Sequence, residues 1–207
     1  MKTKVTYKSF KEVWSVDHEP YKTLNVGDKV KIDFKLPGKK GLYPAVKCKK
    51  ETVTLINKTD CELLFVTDRV IFNGPVDTNN CKEYAKTEIA QYLNNDVKES
   101  LNAVIGPLGK ISEVRLLSVG EVFGASDYEE FAACTDERLK YFKKGNHRIA
   151  FDKAEGYSCW WWLSTPTART KNEFAVFCSC AGNGAASYAS ADYSTHGVRF
   201  AFLIQYL

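Results

Sequence analysis

The chain has 207 residues, of which 44% are hydrophobic and 26% charged, and this excludes a disordered, collagen-like or coiled-coil protein. Its length suits one large domain, or one domain with a small appendage, able to bury a sizeable core. The net charge of +4 hides an asymmetry: residues 1–50 carry 13 Lys against 5 acidic residues, while residues 51–207 carry 16 Lys and Arg against 20.

The N-terminal lysines are spread singly through apolar residues, as in Val30-Lys31-Ile32-Asp33-Phe34-Lys35, an alternation that predicts a strand with one solvated face. No recognition-helix, zinc-finger or aromatic nucleic-acid motif accompanies them, so no nucleic-acid partner is expected. No apolar run approaches the roughly 20 residues needed to span a bilayer, so no membrane insertion is expected. Met1 to Lys8 is basic without a following apolar stretch, which gives no signal peptide and points to cytoplasmic synthesis, with virion association or surface display as later destinations. Seven cysteines are an odd number without a CxxC pair, so at least one thiol is free or pairs between chains, and a reducing compartment is the default.

Residues 1–51 read as a basic, β-rich section with turns at Asn25-Val26-Gly27-Asp28 and Leu36-Pro37-Gly38. Thr52 to Ile56 and Glu62 to Val66 form a predicted hairpin, with Arg69 to Phe72 continuing its second arm. From Tyr84 to Val104 the pattern turns helical: Ile89, Tyr92, Leu93, Val97 and Leu101 make one apolar stripe, with Thr87 or a neighbour as cap. After a break at 106–109 comes a strand at 114–117. Ser118 and Glu121 then have the spacing of a capping box and predict a helix start. A further helix is expected over 135–144, where Asp136 and Glu137 precede Lys143 and Lys144.

The last third is rich in rings. Residues 159–163, 173–177 and 197–204 are predicted core strands, and strand alternation sends Trp160 and Trp162 to one face and Trp161 with Leu163 to the other. Arg199 falls inside an apolar strand, where a buried guanidinium must satisfy its donors and is expected to bond loop carbonyls. Residues 178–196 contain no Lys, Arg, Glu, Gln, Met, Trp, Leu, Ile or Val, so this run is expected on the outside of the domain. Its short polar side chains and two tyrosines resemble the mix found in paratopes.

Tests for chemistry narrow the choice. No Gly-x-Ser-x-Gly elbow, Walker-type loop or dinucleotide glycine motif is present. Cys178-x-Cys180 with His196 could hold a metal or act in redox chemistry, but a zinc site needs four ligands at recognisable spacing, so plain thiols without metal or cofactor are expected.

Trp161 to Pro166 (WWLSTP), followed about thirty residues later by Gly197 to Phe202 (GVRFAF), resembles the WWLRSP…GVRPAF pattern of a domain of unknown function of gut bacteria and their phages. Three upstream stretches agree in order: Phe65 to Val70 with its LLSDRIL-like strand, Thr87 to Asn94 with its SxIRxWLN-like helix, and Val114 to Val122 with its VFLLSxxEV element. The chain departs from the pattern at Ser164 and Phe200. The resemblance spans about 52–207 and implies an α+β, C-type-lectin-like fold of the kind shared by formylglycine-generating enzymes and the variable proteins of diversity-generating retroelements. In those variable proteins, adenine-directed mutation rewrites a C-terminal segment, and every residue of 178–196 can be reached from mutable AAC or AAT codons.

The expectation is therefore a non-enzymatic ligand-binding or display protein with a β-rich section over 1–51 and a lectin-like domain over 52–207. Its site is expected at Ser179, Asn183, Ser187, Tyr188, Ser190, Asp192, Tyr193, Thr195 and His196, with Trp162 as floor and a protein or glycan as ligand. Homo-oligomers through residues 1–51 are a further expectation. The alternatives are a formylglycine-generating-enzyme-like oxidoreductase using Cys178 and Cys180, and a structural phage or cell-surface component. An EPN, QPD or WND triplet is missing, so no calcium is expected.

Overall fold

The computed structural model describes residues 23–79, 81–105, 109–124, 131, 137–152, 156–168, 173–178 and 185–205. It is a mixed α+β structure, mostly β-sheet. The basic alternation builds the first strand, β1 (Lys29–Leu36), in which Val30, Ile32, Phe34 and Leu36 are buried while the intervening charged residues face outward. Asn25–Asp28 makes the expected turn before it, with Gly27 at φ +102°, a conformation that favours glycine. β1 pairs antiparallel with β2 (Val46–Lys58), which pairs with β3 (Glu62–Thr67) as the predicted hairpin. The expected boundary at 51/52 falls inside β2.

At Thr67 the chain departs from expectation. Instead of prolonging the hairpin, residues 68–71 carry it out of the first sheet, and β4 (Phe72–Asn73) joins a second one. The predicted C-terminal strand divides the same way, into β11 (Gly197–Val198) and β12 (Ala201–Gln205). These two crossings run side by side, for Thr67 N donates to Phe200 O at 3.1 Å and Ile71 N to Val198 O at 3.0 Å.

The helical stripe emerges as expected, with a refinement. A 3-10 turn at Tyr84–Lys86 leads into α1 (Glu88–Tyr92), a π-helical turn at Leu93–Val97, and α2 (Lys98–Ile105). The Thr87 hydroxyl caps it, accepting from Ala90 N at 3.3 Å. Buried residues at 89, 93, 97, 101 and 105 recur every four positions, slightly more than one α-turn. The wider π turn brings the drifting stripe back onto the sheet.

The first sheet, in the order β1-β2-β3-β12-β5 with β5 at Lys110–Arg115, is antiparallel throughout. Its helix-facing side carries Phe65, Phe202 and Ile204 into one core, and its other side carries Leu64, Val66 and Ala201 into a second. Ser118 and Glu121 form the expected capping box at the start of α3 (Val119–Phe123). The helix expected over 135–144 is not formed: residues 135 and 136 lie outside the described residues, and two 3-10 turns occupy Lys140–Lys143 and Gly145–Arg148. The charge pattern there lacked an apolar stripe, and burial of the adjacent Tyr141 and Phe142 suits a tight turn better than an α-helix.

A small ladder, β6 (Ala150–Phe151) with β7 (Ser158–Cys159), precedes β8 (Trp161–Pro166). The second sheet runs β10-β9-β8-β11-β4, with β9 at Glu173–Cys178 and β10 at Ala185–Ser190. The run 178–196 is thus not a loop throughout, since residues 185–190 form an edge strand on β9. Their low β-propensity is overridden by the pairing partner. No helix among the described residues is long and apolar enough to cross a membrane.

Candidate functional site

Alternation along β8 separates the tryptophans as expected. Trp162 is fully buried in the core under the first sheet, with its indole N–H donating to Gly74 O at 2.8 Å, and Trp161 is fully buried in the other core. Trp160, just before the strand, is 38% exposed. Its carbonyl accepts from Gly197 N at 2.8 Å. A Cβ at Gly197 would lie 2.4 Å from Val70 and 3.0 Å from Trp160 O, so only glycine lets β11 approach β8 this closely.

That approach delivers His196 between rings. The imidazole lies 5.5 Å from Trp160, 5.0 Å from Trp162 in an edge arrangement, and 5.7 Å from Tyr193, also edge-on. Tyr193 is 55% exposed. The turn bearing these residues is clamped at both ends by the segment after β4: Ala191 O accepts from Val76 N and Asp77 N, and His196 O accepts from Gly74 N. Within it, the Ser190 hydroxyl donates to Asp192 Oδ1 at 2.6 Å and Tyr193 N to Ser190 O at 3.1 Å.

His196 Nε2 is enclosed and finds no partner among the described residues. Burial pushes the imidazole below the ordinary histidine range, which keeps it neutral at pH 7. An enclosed polar atom left unpaired costs about 1–3 kcal/mol.

The expected site residues therefore divide. Asp192, Tyr193, Thr195 and His196 share one turn, Ser190 joins it through Asp192, and Trp162 lies beneath as buried floor. Ser187 and Tyr188 leave opposite faces of β10: Ala189, two positions from Ser187, is buried in the core of Trp162, while Tyr188 is 43% exposed beside Ala186, which packs on the core of Trp161. Ser179 and Asn183 lie outside the described residues, as does Cys180, and the same holds for the side chain of Cys178. Trp160 belongs to the cluster although the sequence reading left it out. Its signal was the shared parity of Trp160 and Trp162.

Across the sheet, Arg199 does what its buried place requires. It is 1% exposed; Nε donates to Thr67 O at 2.7 Å and Nη1 to His147 O and Arg148 O at 3.3 and 3.5 Å. Its guanidinium lies 5.0 Å from the Trp161 ring. Thr67 is where β3 leaves its sheet, so Arg199 supplies the donor that a continued ladder would have given. Among the described residues, no group of three or more His, Cys, Asp or Glu could hold a metal ion. Cys61, Cys81 and Cys159 are free thiols, and burial raises Cys159 to about 11, far from a reactive thiolate.

A family model described as a domain of unknown function (DUF6273) matches residues 109–206, just under half of the chain, from β5 to the end of β12. The matched part carries Trp160, Tyr193, His196 and Arg199. No curated protein and no solved structure matches the chain.

Proposed function

We propose that the chain is a non-enzymatic ligand-binding protein of C-type-lectin-like fold, whose contact surface is the turn Ser190 to His196 together with Trp160. The carrying observation is the ring cluster: two half-exposed aromatics, Trp160 and Tyr193, flank a neutral His196 with an unpaired Nε2, on a turn held rigidly at both ends. Rigid rings give contact area at low entropic cost, and Asp192, Thr195 and Ser190 give orientation. The ligand class is a protein segment or a glycan, both of which present apolar faces to rings and hydroxyl or amide groups to polar neighbours. The lectin-like assignment is supported by the chain's last strand lying inside the first sheet, while a ring-bearing second sheet holds the candidate surface. Diversification of 178–196 is part of the same reading. It requires a neighbouring reverse transcriptase and an adenine-rich near-copy of the DNA encoding 174–204.

The tagged full chain, probed against a glycan array and a displayed peptide library, is expected to select ligands whose binding falls at least about tenfold in Trp160→Ala and Tyr193→Ala, with unchanged thermal unfolding. Selected ligands that bind both variants as tightly as the parent would overturn the site.

A further inference from the structure

On the face of Arg199, away from the ring cluster, a cleft of about 640 Å³ opens between the β1–β2 strands, the end of β3 and the segment 141–151. That volume lies in the range of small-molecule sites. Four cations line it, Lys29, Lys50, Arg69 and Arg199, against two carboxylates. Both carboxylates are engaged. Glu51 receives a two-pronged pair from Arg69, with Nε at 2.6 Å, and Asp68 bonds Lys29 Nζ at 2.5 Å and the Thr54 hydroxyl.

Among the described residues, no carboxylate forms an ion pair with the Arg199 guanidinium or the Lys50 ammonium. Of the five guanidinium donors of Arg199, those on Nε and Nη1 meet carbonyls and those on Nη2 meet no acceptor among the described residues, although the residue is 99% buried. Arg199 lines the cleft, which leaves its Nη2 donors for an acceptor seated there. Lys50 is held at the rim in a left-handed conformation, φ +50°, by its N–H bond to Asp33 Oδ1. Non-glycine residues rarely adopt it. Burial presses the Arg199 pKa downward, and the nearby Asp68 carboxylate opposes this in part.

We propose that this cleft binds a small molecule bearing a phosphoryl group, seated on Arg199 Nη2 and Lys50. The four cations of the cleft outnumber its two carboxylates by two, which suits a dianion, and a phosphate monoester carries close to two negative charges at pH 7. A guanidinium edge fixes such oxygens in direction as well as charge. Ile149 and the half-exposed Phe151 give an apolar wall for the ligand body. His147 also lines the cleft, its ring oriented by an Nδ1–H that donates to Tyr141 O at 2.7 Å.

The test is titration calorimetry of the full chain with phenyl phosphate, using benzyl alcohol as the uncharged counterpart. Saturable binding of phenyl phosphate alone is expected, weakened about tenfold in Lys50→Glu but not in Lys110→Glu, which makes the same charge change on the far edge strand of the sheet. Tyr193→Ala is expected to leave it unchanged, which separates this site from the ring cluster. Absence of saturable binding, equal effects of the two lysine variants, or loss in Tyr193→Ala would overturn the proposal.

Discussion

The two faces that flank Trp160 to Trp162 use the same short stretch of chain to opposite ends. On one, His196 is neutral, half-covered and surrounded by rings, two of them open to solvent. On the other, three residues further on, Arg199 is charged, buried and surrounded by carbonyls, a ring and an ion-paired cleft. The first region is open at its surface and anchored from below. The second is fixed by hydrogen bonds from Nε and Nη1 to carbonyls. The difference teaches that exposure and chemical character are not the same quantity here: the ring cluster offers area, while the cleft offers an excess of positive charge.

The comparison is broken most severely through the buried tryptophans. Trp161→Ala and Trp162→Ala are each expected to cost about 4 kcal/mol in chemical denaturation, because each leaves a large cavity in its core. A loss below 1 kcal/mol for either would mean that the indole does not fill its core. Next comes the cleft wall: Arg69→Ala leaves Glu51 buried without its partner and is expected to cost about 3 kcal/mol. Equal stability of Arg69→Ala and the parent would show that Glu51 is relieved by another group. The capping serine is a smaller lever. Ser118→Ala removes the bond to Glu121 N and is expected to cost about 1 kcal/mol by thermal unfolding.

The smallest effect sharpens the ring cluster. Because burial holds His196 below the ordinary histidine value, the unfolded chain takes up this proton more readily than the folded one. Its contribution to stability is therefore complete above the unfolded pKa of about 6.5 and declines as the pH falls through that value. Unfolding of parent and His196→Gln, followed from about pH 7.5 to 5.5, should show the steeper loss in the parent. Parallel curves would mean that His196 is not shielded.

Much of the scaffold was legible because it obeys one period at a time. The stripe from Ile89 to Leu101, the cap at Thr87, the box at Ser118 and Glu121, and the alternation of β1 each follow from local spacing. Arg199 was legible through its donors: a guanidinium inside an apolar strand had to find carbonyls, and it did. Where the sequence misled, a partner decided. Residues 185–190 have small, weakly β-forming side chains and become a strand because β9 lies beside them. The apparently continuous strand over 197–204 divides because Arg199 and Phe200 cross between sheets beside residues 68–71. The cleft left no local signature, since its charges come from positions 29, 50, 51, 68, 69 and 199 and meet only in three dimensions.

The central claim, that the turn Ser190 to His196 with Trp160 is the contact surface, is tested most directly by measuring one selected ligand against the Trp160→Ala/Tyr193→Ala double variant by surface plasmon resonance. The account predicts that affinity falls by about a hundredfold or more while the melting temperature stays at the parent's value. Parental affinity in a variant that folds normally would contradict it.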